Sequence, residues 1–319
     1  MMAQSHYFEP NANRPVVGRF APSPTGRMHA GNIYAALSAW LVAKSQGGTI
    51  VLRIEDLDRD RSKAEYISAV QRDFELLGLT WDHGPFFQHD RDEAYLEAFS
   101  ALERRGLVYP CFCTRADLHA ASAPHRGEKF VYPGTCRGLT AEQIAEKSMR
   151  RAPAHRLRVP DDTYSFEDMV QGRYKQNLAH DCGDFLIRRS DQAFAYQLAV
   201  VVDDAAQGVT SIVRGVDLLC STPQQLYLQE LLGLDHPRYA HIPLLVAEKN
   251  RRLSKRDHDA GIEELLARFK TPAAIIGHIA GICGLAPTCD PATPEQLLAT
   301  FDVARLPELF GDPVQIAWR

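Results

Sequence analysis

No stretch of the 319 residues stays apolar for the ~18 positions that a membrane-spanning helix requires. The opening residues, MMAQSHYFEPNANRP, lack the apolar core of a secretory leader. These two absences lead to the expectation of a cytoplasmic protein with no membrane partner. An excess of one charge is missing as well: 36 Lys and Arg oppose 40 Asp and Glu, for a net charge of −4. The surface as a whole is therefore no trap for polyanions, and any nucleic-acid contact has to be local. Cysteine is sparse, odd in number at seven, and scattered apart from Cys111, Cys113 and Cys136. That pattern argues against a disulfide framework and for free thiols or a metal. The N-terminal turn carries neither G-x-G-x-x-G nor G-x-x-x-x-G-K, which removes the dinucleotide fingerprint and the P-loop. Internal repeats and low-complexity tracts are also absent.

What is present is an ordinary globular composition, 45% hydrophobic and 24% charged, in a chain long enough for two or three subdomains. VVGRF (16–20) reads as a short buried strand that a proline-rich turn forbids from continuing. Ile33, Ala36, Leu37, Trp40 and Leu41 then recur at helical spacing, and Gly47 and Gly48 supply the stop. TIVLRIED (49–56) has the β-branched, apolar make-up of a buried parallel strand with a polar tip. Strand, helix and strand form a βαβ unit. Two further helices are expected over 63–77 and 90–105. From GLVYPCFCT to about Cys182 the text turns irregular, as an insertion in an α/β body would. The α/β pattern resumes with DFLIRR, FAYQLAVVVDDAAQGVTSIVRG and the helix TPQQLYLQELLG. After the strand-like HIPLLV the chain reads as mostly helical to its end.

A strand that ends in a glycine-containing turn and opens a helix presents free backbone N–H groups and a positive helix end, a natural place for phosphate. RFAPSPTGRMHAGN (19–32) is such a segment, with His29 at its helix start. Two basic clusters, MRRAPAHRLR (149–158) and EKNRRLSKRDH (248–258), read first as solvated faces. RLSKR (252–256) lies between a buried strand-like run and a charged, glycine-containing stretch, so it belongs on an exposed loop from which a lysine reaches phosphate.

Together the two segments resemble the paired signatures of the class I aminoacyl-tRNA synthetases, HAGN the first and LSKR the second. RFAPSPTGRMHAGN, LRIEDLD, LGLTWDHGP, IVRGVDLLCSTPQQ and LSKR follow in the order and style of the glutamyl branch, over about Val16 to Gly284. Asn32 stands where the general class pattern has a second histidine, and Leu253 where it has methionine; both are tolerable for that branch. The resemblance implies an α/β fold with a Rossmann-type parallel sheet, a zinc-containing insertion and a helical C-terminal part. It divides the chain into residues 15–106 and 183–238 as the two halves of the catalytic domain, 107–182 as the insertion, and 239–319 as the signature loop with its helical subdomain.

It also implies the chemistry. Class I enzymes join an amino-acid carboxylate to the α-phosphate of ATP and expel pyrophosphate, so growing charge on phosphate oxygens must meet fixed donors. His29 and Lys255 take the catalytic part, and His29, Gly31, Asn32, Ser254 and Lys255 hold ATP, with Mg²⁺ riding on the phosphates. Arg19, Phe20, Ala21, Pro22, Ser23, Glu55, Tyr196 and Arg214 form the pocket for L-glutamate. Glu55 faces the α-ammonium, and the arginines suit the carboxylates because a guanidinium fork binds both oxygens.

Cys111-x-Cys113 and Cys136 offer three thiolates, and Zn²⁺ asks for four tetrahedral ligands. Generic chemistry leaves His119 or His125 as the fourth; the resemblance points instead to Tyr132 in YPGTC, closing a single structural zinc site. Cys182, Cys220, Cys283 and Cys289 have no metal spacing.

The chain continues only a short way past Arg256, where full-length glutamyl enzymes run on into anticodon-reading helices. Shortness and the cysteine insertion together resemble a truncated paralogue group of that branch. Its members activate glutamate without tRNA and attach it to queuosine at the wobble position of tRNA(Asp). The expected partners are therefore ATP, L-glutamate and the queuosine-bearing anticodon loop of tRNA(Asp), bound by a monomer. Two other readings stay open: a shortened glutamyl enzyme that charges a tRNA 3′ end, and an inactive zinc-containing RNA-binding paralogue.

Overall fold

A computed structural model describes residues 4–11, 13–114, 117, 131–247, 251–252, 261–310 and 315–318. In chain order the first elements are β1 (Ser5–Phe8), β2 (Val17–Phe20), α1 (Ala30–Lys44), β3 (Thr49–Ile54), α2 (Ala64–Leu76), β4 (His83–Phe87) and α3 (Asp92–Arg104). The middle of the chain forms β5 (Val108–Cys111), α4 (Ala141–Arg150), β6 (Ala154–Leu157), β7 (Thr163–Asp168), β8 (Gly172–Asn177) and β9 (Phe185–Arg188). Then come α5 (Tyr196–Ala206), β10 (Ser211–Gly215), α6 (Thr222–Leu232), β11 (Arg238–Ile242), β12 (Leu244–Ala247) and β13 (Arg251–Arg252). The last elements are α7 (Ile262–Phe269), α8 (Pro272–Ile282), α9 (Pro294–Leu298), α10 (Leu306–Phe310) and β14 (Gln315–Ala317).

Strands β2, β3 and β4 pair in parallel, and so do β10 and β11. Thr210, just before β10, stitches the two groups together: its N–H donates to Val17 O at 2.9 Å and its Oγ1 accepts from Val17 N at 2.8 Å. The resulting order, β4-β3-β2-β10-β11, is that of a doubly wound sheet, whose direction of winding switches between its first and fourth strands. Here the switch lies between β2 and β10. Helix α1 crosses this sheet and is buried on nearly every side, which is why its apolar residues form no single stripe.

Two observations differ from the sequence-based expectation. Residues 163–177, expected inside the irregular insertion, form the β7–β8 hairpin, and β7 pairs in parallel with β11 and with β1. The β1–β7 pairing, Ser5 against Thr163, lies too far apart in the chain to leave a local signal. HIPLLV splits at Pro243, which has no N–H for a ladder, into the end of β11 and the start of β12. The C-terminal segment is mostly helical, as expected, and the short strand β14 adds in parallel to β12. The antiparallel sheet β5-β6-β9 stands apart and carries the cysteine segment at the end of β5. Among the described residues no helix is long and apolar enough to cross a membrane.

Candidate active site and metal centre

At the carboxyl ends of β2 and β10, where ligands of doubly wound sheets sit, a cavity of about 530 Å³ opens. Arg19, Phe20, Ala21, Pro22, Ser23, Glu55, Tyr196 and Arg214 all line it, joined by Asn32 from the first turn of α1. The sequence did not single out Met28, Phe74, Gly215, Asp217 or Leu218, which line it too. Gly215, Asp217 and Leu218 belong to the motif IVRGVDLLCSTPQQ, and Asp217 adds a second carboxylate to the wall, whereas Met28 and Phe74 reach the cavity through packing.

Two arginines are buried in the cavity wall and are held differently. Arg19, 5% exposed, has its Nε 3.4 Å from Asp204 Oδ1 and donates from Nη1 to Val213 O at 3.4 Å. Burial lowers its pKa, with Asp204 opposing. Arg214 donates from Nε to His241 Nε2 at 3.0 Å and from Nη2 to Thr222 Oγ1 at 2.8 Å, and its Nη1 is buried with no hydrogen-bond partner. Both of those acceptors are neutral, so a buried positive charge faces the cavity with a donor to spare. That combination is costly unless an anion arrives.

Glu55 extends from the end of β3. Burial raises its pKa above the ordinary carboxylate value, and Arg53 and Arg19 only partly counter this. Arg53 Nη2 donates to Glu55 Oε1 at 3.3 Å while Nη1 donates to Asp204 at 2.7 Å and to Gln207 at 2.9 Å. The cavity wall therefore holds two carboxylates, Glu55 and Asp217, and two guanidinium groups, with the phenol of Tyr196 kept neutral by burial. This inventory complements a molecule carrying one ammonium and two carboxylates.

His29 is the N-cap of α1. Its backbone N–H donates to Asn32 Oδ1 at 3.1 Å, so the residue in the place of the second signature histidine closes the reverse half of a capping box. A Cβ on Gly31 would lie 3.1 Å from the His29 ring, so a larger residue there would push the imidazole out of position. Ser254 and Lys255 lie outside the described residues, but the chain that follows them returns to the site: Gly261 forms a β-bridge with His29, and Glu263 pairs with Arg27.

The cysteine cluster is separate. The Sγ atoms of Cys111, Cys113 and Cys136 all lie within 4.8 Å of one another. The Tyr132 hydroxyl is 3.5 Å from Cys111 Sγ and 3.7 Å from Cys113 Sγ, and Cys113 Sγ is 3.7 Å from Cys136 Sγ. Zn–S bonds of about 2.3 Å and Zn–O bonds of about 2.0 Å imply tetrahedral edges of about 3.8 Å between sulfurs and about 3.5 Å between sulfur and oxygen. The donors therefore fit a tetrahedral divalent ion. Arg156 stacks over the Tyr132 ring at 3.7 Å and donates to Cys111 Sγ at 3.3 Å. Burial pushes the Cys111 thiol up, but the hydrogen bonds with Tyr132 and Arg156 more than offset it and leave the thiol below its ordinary value. Burial, with Cys111 and Cys136 beside it, holds Cys113 up at about 11. His119 and His125 are outside the described residues. Cys182 and Cys283 are buried elsewhere, while Cys220 and Cys289 reach the surface.

Residues 15–283 match the family described as tRNA synthetases class I (E and Q), catalytic domain. The chain belongs to this family of class I tRNA synthetases and is a ligase. It is 44% identical over 301 residues to the Glutamyl-Q tRNA(Asp) synthetase of Nitratidesulfovibrio vulgaris, covering 91% of this chain and 93% of that protein. With the Glutamyl-Q tRNA(Asp) synthetase of Symbiobacterium thermophilum it shares 42% over 313 residues, 94% and 95% of the two chains. Its fold is that of a glutamate tRNA ligase from Elizabethkingia meningosepticum solved with its amino acid, at a TM-score of 0.79 and 24% identity, covering 95% of this chain and 67% of that one.

Proposed function

We propose that this protein activates L-glutamate with ATP, without tRNA, and transfers it to the queuosine base at the wobble position of tRNA(Asp). The observation that carries the reading is the cavity at the β2–β10 switch, where Arg19, Glu55, Tyr196 and Arg214 converge and Arg214 Nη1 lacks an acceptor. Glu55 takes the α-ammonium, and the two arginines take the carboxylates. The α-carboxylate attacks the α-phosphorus of ATP, the bond to the β-phosphate oxygen breaks, and pyrophosphate leaves. His29 and Lys255, with Gly31, Asn32 and Ser254, hold the phosphates as charge builds, while Mg²⁺ accompanies ATP. A hydroxyl of the queuosine cyclopentenediol then attacks the glutamyl carbonyl, AMP leaves, and the hydroxyl proton passes to solvent. Positioning is the protein's main contribution to that second step.

Cys111, Cys113, Tyr132 and Cys136 would hold one Zn²⁺. An ion held by these donors would tie the end of β5 to the turn around Cys136, a structural part with no substrate position. The relatives' names and the glutamate ligase fold support the reading. The test is incubation with labelled glutamate, ATP and tRNA(Asp) that carries or lacks queuosine, followed by nuclease removal of the 3′ end. Label held on the queuosine-bearing fragment is the expected result. Label lost with the terminal adenosine means a 3′-charging enzyme, and tRNA binding without ATP–pyrophosphate exchange means an inactive paralogue.

A further inference from the structure

Behind Arg214, three adjacent strands line up three side chains. Arg214 on β10 and His241 on β11 are register partners, and β11 pairs next with the end of β7 at Asp168. His241 is fully buried and Asp168 is 2% exposed. Arg214 Nε lies 3.0 Å from His241 Nε2, and His241 Nδ1 lies 2.5 Å from Asp168 Oδ2. Asp168 Oδ1 accepts from the backbone N–H groups of Val170, Gln171 and His241 at 2.9, 2.9 and 3.1 Å.

The direction of every bond follows from valence. A guanidinium only donates, so His241 Nε2 must be bare, and the single ring proton sits on Nδ1 and goes to Asp168. Burial pushes the His241 pKa down with Arg214 in support, and the Asp168 hydrogen bond only partly opposes it, so the ring is neutral. Burial alone would raise Asp168, but the hydrogen bonds from His241 and the backbone outweigh it and keep the carboxylate ionised.

A carboxylate placed directly on Arg214 would orient the side chain equally well, but it would cancel much of its charge, as Asp204 does for Arg19. A neutral imidazole between them fixes the plane and leaves the charge for a ligand. We propose that Asp168 and His241 are positioning residues that lock Arg214 with its Nη1 edge open, so that the cavity selects a carboxylate over the isosteric amide. This rests on the reading of the cavity as a glutamate pocket.

The test uses ATP–pyrophosphate exchange with glutamate and with glutamine, together with imidazole ¹⁵N spectra. In Asp168→Asn the amide NH₂ faces Nδ1, the ring proton moves to Nε2, and two donors oppose each other at Arg214. KM for glutamate should rise about tenfold or more, KM for ATP should stay, and the preference for glutamate over glutamine should shrink. His241→Phe should behave alike, whereas His241→Gln, which restores an acceptor for Arg214, should stay within about threefold of wild type. The wild-type spectrum should show a neutral His241 protonated on Nδ1. A proton on Nε2 overturns the inference, and so do variants whose melting temperature falls while the glutamate KM and the glutamate-to-glutamine ratio hold. If the wild type itself gives no exchange with glutamate, the pocket reading fails, and this is seen before any variant is made.

Discussion

Glu55 shows how burial sets the working range of a single residue. Its carboxylate must be ionised to hold an ammonium, and its folded pKa lies above 4.5 because burial outweighs Arg53 and Arg19. As pH falls through that raised value, kcat/KM for glutamate should fall with it, placing an acid limb above pH 4.5. Glu55→Gln should lower kcat/KM on the order of 10²-fold and abolish the limb; a pH profile of pyrophosphate exchange checks both. Arg214 differs in that its loss removes a charge whose recorded acceptors are neutral. Arg214→Lys keeps the charge but loses the planar fork, and it should raise the glutamate KM at least about tenfold.

Within single elements, two residues carry contrasting loads. Asn32 closes the capping box at the start of α1. Asn32→Ala should cost about 1 kcal/mol of stability and loosen the turn that holds His29, read by denaturant melts alongside the KM for ATP. Near the end of α2, Asp73 is 8% exposed, and burial raises its pKa to about 6 despite Arg72 and Arg27. The unfolded value is about 3.9, so the folded state holds the proton more tightly. This favourable contribution is full below about pH 4 and is lost as pH rises through about 6. Asp73→Asn should therefore melt like wild type at pH 4 and be more stable by about 1–2 kcal/mol at pH 8, after allowance for solvent screening. The cysteine segment behaves as its own element. Cys136→Ser should abolish the single equivalent of zinc expected from metal analysis and unfold the end of β5 first, visible as lost amide protection around Cys111.

Across the whole molecule, Arg53 ties β3 of the sheet to helix α5. It is fully buried on β3 and bonds Asp204 of α5 and Gln207 just past its end, with Asp203 at 3.9 Å. Asp203 also takes Gln88, Arg91 and Tyr95, so one acidic pair gathers donors from β3, α3 and the turn between β4 and α3. Arg53→Met should leave those carboxylates underpaired and cost about 3–5 kcal/mol in a denaturant titration. Glutamate binding should weaken with it, because Asp204 and Glu55 lose a shared anchor.

The sequence by itself determined the βαβ opening, the turn that places His29 at a helix start, and the three thiols, because each depends on residues close together in the chain. Helices α2 and α3 were likewise legible within a residue or two at their ends, since the 3.6-residue period survives without tertiary help. Tertiary structure alone decided that β1 and the β7–β8 hairpin join the sheet of β10 and β11, that Thr210 bridges β2 to β10, and that Asp168 and His241 stand behind Arg214. These pairings connect residues up to 193 positions apart. Strand partners and buried hydrogen-bond chains of that kind are chosen by which surfaces the packed core brings together, and a linear pattern of residues does not encode them locally.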